Sequence, residues 1–119
     1  MRDFARSKGL DSLGLLHADI QGFELDMLCG CGELLDQKKI GFLFISTHGL
    51  KLHYQCLKCL VRKGYSIIAE HTPKESYSHD GLIAASATPN ALAAVPVSRK
   101  PVSLRLKWKS SLYKAIYGP

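Results

Sequence analysis

The sequence predicts an α/β fold, and three patterns carry that expectation. Residues 13–20, 40–46 and 65–71 are short apolar runs of strand length. The segments between them place apolar residues at three- and four-residue spacing, as one face of a helix requires. Strand and helix therefore alternate, which is the order that lays successive strands onto one sheet through right-handed crossovers.

The elements follow in chain order. Residues 13–20 read as a strand. Residues 23–37 carry Phe23, Met27, Leu28, Cys31, Leu34 and Leu35 at helical spacing, with Gly30 and Gly32 weakening the helix and splitting it into two turns. Residues 40–46, IGFLFIS, are apolar without alternation, the pattern of a strand covered on both faces. Residues 50–63 set Leu50, Tyr54, Leu57, Leu60 and Val61 on one helical side, and Gly64 after Arg62 and Lys63 reads as a glycine cap. Residues 65–71 form the next strand, 72–80 a polar loop, and 81–87 a last apolar strand. That loop is short and contains Pro73, so no third crossover helix fits, and the last two strands are expected to pair antiparallel.

Past this point the composition changes. Residues 88–101 hold three prolines and read as a linker, separating a domain at 1–87 from a tail at 102–119. In the tail Leu104, Trp108, Leu112 and Ile116 recur every four residues, with Arg105, Lys107, Lys109 and Lys114 elsewhere around the wheel. This predicts a basic amphipathic helix, although VSLRLKW also alternates as a strand would.

The chain has 119 residues and a net charge of +6. Residues 1–80 contain ten basic and ten acidic side chains, whereas residues 81–119 contain six basic side chains and no acid. The whole excess lies on the tail, which suits phosphates or an anionic surface. No apolar run reaches the roughly 20 residues of a membrane-spanning helix. The N-terminal MRDFARSKGLDS lacks an apolar signal core, so no secretory targeting is expected, and the four cysteines are read as reduced thiols of a cytoplasmic protein.

Chemistry is expected where the first strand ends. HADIQGFELD, residues 17–26, puts Asp19, Glu24 and Asp26 directly after an apolar strand. In an open α/β sheet that end of a strand borders the ligand crevice. Helix-dipole stabilisation accounts for Asp26 and partly for Glu24, but Asp19 projects from the strand end itself. His48, in STHG after the second strand, falls at the same sheet edge, where an imidazole could accept a proton from a hydroxyl. His17 is assigned to packing within its strand; His53 and His79 are assigned to the surface.

These residues resemble a known family. HADIQGFELDML, followed by FLFISTHG, LHYQCLKCLVRKGY, IIAEHT and DGLIAAS, is similar to the C-terminal half of FkbM-family methyltransferases over about residues 10–87. Members carry a D-x-E/Q-G-x-E motif after the fourth strand, and Asp19, Gln21, Gly22 and Glu24 match it position for position. The resemblance implies a partial Rossmann-like methyltransferase sheet, made of the fourth to seventh strands with the last inserted antiparallel. It implies methyl transfer from S-adenosylmethionine to a hydroxyl of a sugar, lipid or metabolite. Asp19, Gln21, Gly22, Glu24, Tyr77 and Asp80 would line the cofactor or substrate crevice, and His48 and Asp19 would be catalytic. No metal is required by this scheme, with a divalent ion held by Asp19 as the open alternative. The family's glycine-rich loop lies upstream of the motif, and no G-x-G segment precedes Asp19 here. The chain therefore reads as a fragment, and S-adenosylmethionine binding by the chain alone is expected to be poor.

Rival readings rest on other residues. Cys29, Cys31, Cys56 and Cys59 have the composition of a structural zinc site, but they fall on helices that need apolar faces. Ser76, Tyr77, His79 and Asp80 have the composition of a hydrolytic triad, yet they crowd one loop. A non-catalytic module, docking through an exposed sheet edge and the basic tail on a partner half-domain or a second copy, is the alternative from another class. Nucleic acid is not an expected partner: Trp108, Tyr113 and Tyr117 interleave with basic residues as stacking platforms do, but one aromatic stripe packs more simply against the domain.

Overall fold

A computed structural model describes residues 12–88, 99, 101 and 104–117. The expected elements are present with shifted ends: β1 (Leu13–Ala18), α1 (Glu24–Gly30), α2 (Gly32–Asp36), β2 (Ile40–Thr47), α3 (Leu50–Arg62), β3 (Ser66–His71), β4 (Gly81–Ser86) and α4 (Leu104–Tyr117). The glycine-flanked helix is indeed two short helices, α1 and α2, separated at Cys31. The tail is helical rather than extended. The linker lies almost wholly outside the described residues.

The strands form one mixed four-stranded sheet in the order β1-β2-β4-β3. β1 and β2 pair in parallel, Leu13 opposite Ile40 and Ala18 opposite Ile45. β4 is inserted between β2 and β3 and runs antiparallel to both. Parallel neighbours demand a helical connection, which α1 and α2 supply; the short loop between β3 and β4 permits the antiparallel return.

Core residues Leu43, Ile45, Ile83 and Ala85 of the sheet meet Leu28 of α1, Leu35 of α2 and Cys56, Leu57 and Leu60 of α3. Period-two alternation within β2 and β4 puts these side chains on one sheet face. The expectation that β2 is covered on both faces is corrected: Phe44 is 41% exposed, and Leu15 on the same face of the neighbouring strand is exposed too. An unbroken apolar run thus misled, because one side of β2 remains open to solvent. Val61, assigned to the buried side of α3, is exposed, as is Phe23. His53 occupies that buried side instead.

Gly64 adopts φ +82° after α3, as its capping role requires. Tyr65 then anchors β3, its hydroxyl donating to the Ile40 carbonyl at 2.7 Å. No helix among the described residues is long and apolar enough to cross a membrane.

Candidate functional site

The carboxyl ends of β1 and β2 are neighbours because the two strands run in parallel. Asp19 and His48 therefore leave the sheet side by side. β4 runs the other way, so its start lies at the same rim: Gly81 pairs with Thr47, and Asp80 arrives next to His48.

The turn after β1 is built by the motif itself. Gln21 and Gly22 take φ values of +45° and +100°, a left-handed bend that favours glycine at the second position. The bend turns the Gly22 N–H towards Glu24, whose two carboxylate oxygens accept from it at 3.2 Å each. Glu24 opens α1 and is fully buried. A buried carboxylate needs further partners, and His48 supplies one: its Nδ1 lies 2.5 Å from Glu24 Oε1.

With Nδ1 donating to Glu24, His48 presents Nε2 to the rim. Nε2 lies 3.3 Å from an Asp19 carboxylate oxygen and 3.5 Å from one of Asp80. The bond to Glu24 raises the His48 pKa above its ordinary value. Partial burial opposes the rise, and the charges of Glu24, Asp80 and Asp19 add to it. The arrangement is that of an oriented base: one ring nitrogen fixed by a buried carboxylate, the other accessible and flanked by anions that stabilise imidazolium. Beside it opens a cavity of about 580 Å³, bordered by Gly22, His48, Gln55, Lys51, Lys74 and Lys109.

Asp19, Glu24, His48 and Asp80, all expected at the crevice, are thus brought together. Gly22 contributes through its backbone. Gln21 is exposed and shapes the turn through its backbone conformation. Tyr77, also expected at the crevice, is 68% exposed on the loop before β4. Among the described residues, Asp19, His48 and Asp80 are the group whose ligand atoms all lie within 4.8 Å of one another, so they could hold a divalent ion. The ion would then take the ring nitrogen that a proton would otherwise occupy. The four thiols are free, with Cys29 exposed, Cys59 half-buried, and Cys31 and Cys56 buried.

Two histidine assignments are corrected. His17 is exposed rather than packed. His53, assigned to the surface, is fully buried; its Nδ1 lies 2.7 Å from Thr47 Oγ1 and its Nε2 2.6 Å from a Glu70 carboxylate oxygen. Helical spacing held the signal, since position 53 lies three residues after Leu50 and four before Leu57. His79 is exposed, as assigned.

Fold and site together define an α/β domain with a mixed four-stranded sheet and an imidazole–carboxylate cluster at one rim. No family model, curated protein or solved structure matches the chain.

Proposed function

We propose that this chain carries the acceptor side of a Rossmann-like methyltransferase domain of the FkbM type, acting on hydroxyl groups. The observation that carries the reading is the convergence of Asp19, Glu24 and Asp80 on His48 at the carboxyl ends of the parallel strands. The insertion of β4 antiparallel between β2 and β3 supports it, being the arrangement that the family resemblance implies for the fourth to seventh strands. A reducing, cytoplasmic setting suits the free thiols.

S-adenosylmethionine, when bound, supplies the methyl group as a sulfonium cation. Asp19 and Asp80 suit its positive charge. The described residues offer no glycine-rich turn for the rest of the cofactor, so tight binding requires more than they provide. His48 Nε2 takes the proton of the acceptor hydroxyl, Glu24 holds the ring through Nδ1, and Asp19 and Asp80 stabilise the imidazolium. Lys51, Lys74 and Lys109 make the adjoining cavity cationic, which favours an acceptor with a phosphate or carboxylate near its hydroxyl.

The test joins the chain behind the first three strands of an FkbM methyltransferase and follows labelled methyl transfer to sugar and lipid hydroxyls. The chain alone should show no micromolar affinity for the cofactor by calorimetry. The chimaera should be active, and His48→Ala should cost roughly 10²–10⁴-fold in turnover, the usual worth of a positioned base. A folded, cofactor-loaded chimaera that transfers no methyl group would overturn the reading.

A second reading, a non-catalytic docking module, is favoured by the exposed Leu15 and Phe44 on the open side of β1 and β2. A concentration-dependent dimer abolished by Leu15→Lys would support it over the enzyme.

A further inference from the structure

Asp19, His48 and Asp80 meet at the rim with a spacing that suits a shared cation better than a shared proton. His48 Nε2 lies 3.3 Å from an Asp19 oxygen and 3.5 Å from an Asp80 oxygen. Both separations exceed the roughly 2.7–2.9 Å of a charge-assisted hydrogen bond. A single N–H, moreover, can point squarely at only one of the two. Zinc takes imidazole nitrogen and carboxylate oxygen at about 2.0–2.2 Å, which sets two such ligands about 3.3–3.6 Å apart at a tetrahedral angle. The two spacings are those of edges of that polyhedron, and the three ligand atoms all lie within 4.8 Å of one another.

The surroundings are those a metal-bound histidine needs. A ligating imidazole usually gives its other N–H to a carboxylate, which fixes tautomer and ring orientation. Glu24 is that carboxylate. It is fully buried, accepts from His48 Nδ1 at 2.5 Å and is held in turn by the Gly22 N–H. The Nε2 lone pair then faces the two aspartates. The sheet holds all three ligands in place: Asp19 follows Ala18, which pairs with Ile45, while His48 follows Thr47, which pairs with Gly81, the residue after Asp80. Each ligand stays partly open to solvent, so an ion can reach it.

Charge and donor type select the ion. Two aspartates balance a divalent charge, and an imidazole nitrogen among the ligands favours zinc over magnesium or calcium, which prefer all-oxygen shells. We propose that Asp19, His48 and Asp80 form a three-ligand zinc site whose remaining position opens onto the adjoining cavity. Lys51, Lys74 and Lys109 border that cavity, so water or a small anion completes the shell. The site shares its rim with the proposed base but does not rest on the methyltransferase reading.

Zinc titrated calorimetrically into the full chain, in metal-free buffer, should bind as one ion per chain with micromolar or tighter affinity. The His48 imidazole resonances should shift in step, and magnesium at the same concentrations should leave them in place. Asp19→Asn with Asp80→Asn removes two partly exposed ligands, so binding should weaken at least about tenfold at unchanged far-ultraviolet circular dichroism. Glu24→Gln should weaken it about 10–100-fold, the usual worth of a partner behind the ligand. The thiols are the competing donors, and Cys29→Ser with Cys59→Ser should leave the affinity unchanged. Zinc binding that survives loss of both aspartates, or that disappears with the thiols, overturns the proposal. So does a folded chain without micromolar zinc affinity, whose cluster would hold a proton only. Methyl transfer by the chimaera is a separate readout: its failure leaves zinc binding standing, and a failed zinc titration leaves the base chemistry of His48 standing.

Discussion

His48 owes its character to three carboxylates from three separate stretches of the chain, Asp19, Glu24 and Asp80, and Glu24 dominates them. Because its pKa is raised in the folded protein above the ordinary 6.5, its contribution to stability is complete below about pH 6.5 and fades as pH rises through the folded value. Imidazole resonances followed by NMR should titrate above pH 6.5. Glu24→Gln keeps an acceptor for the Gly22 N–H but removes the charge, so it should move that midpoint down. The stability difference between the wild type and His48→Asn should shrink as pH rises. Zinc should compete with the proton for Nε2: in an active chimaera zinc should inhibit, while a chelator should leave turnover unchanged. The thiols separate as sharply. Burial pushes the Cys56 thiol up to about 12, with smaller contributions from nearby acid and thiol groups. Cys56 should therefore resist iodoacetamide until the protein unfolds, while exposed Cys29 is alkylated first. Mass spectrometry of the timed reaction reads this order directly.

Among the elements, β4 is the most constrained. It is buried along most of its length and begins at Gly81, directly opposite Thr47. A Cβ at Gly81 would meet Thr47 Oγ1, and it would come within 2.8 Å of both His53 Nδ1 and Pro73 Cδ. Gly81→Ala should thus cost about 1–3 kcal/mol, the usual range for overpacking, read as a lowered urea midpoint. It should also shift the resonances of His48, since Asp80 immediately precedes the disturbed position. The turn between β1 and α1 answers to a different constraint. Gly22 has open space where a Cβ would sit but φ +100°, so Gly22→Ala is disfavoured by backbone conformation, at about 1–2 kcal/mol. The helical elements were legible because apolar periodicity is local; Gly30 and Gly32 marked the break between α1 and α2 correctly. What periodicity missed was polar burial, because a histidine at a core position of α3 looks like surface until its partners are known.

Across the whole molecule, His53 ties three elements that are distant in sequence. Thr47 ends β2, His53 lies in α3, and Glu70 belongs to β3, so the two bonds of one ring span the sheet under the helix. His53→Ala leaves a cavity and two polar groups without their partner. A loss of about 2–4 kcal/mol is expected in equilibrium unfolding, with His53→Gln recovering part of it. Arg99 extends the tie outward by donating to the Glu70 carbonyl at 2.6 Å and to the Glu75 carboxylate. Burial pushes the Glu75 pKa up, but hydrogen bonds from Thr72 and Arg99 outweigh it and leave the value lowered. That contribution is present above the ordinary carboxylate range and is lost as pH falls through the folded value.

The sequence by itself determined the order of strands and helices, the turn at Gln21–Gly22 and the placing of Asp19, Glu24 and His48 at strand or helix ends, since each depends on contacts within a few residues. Even the antiparallel return of β4 followed from a short polar loop containing Pro73. Only the tertiary structure decided that Asp80 would join His48, that His53 would be buried and that one face of β2 would stay open. Those outcomes depend on the register between β2 and β4 and on which helix covers which face. Residues far apart in the chain settle such questions jointly, and no local pattern contains them.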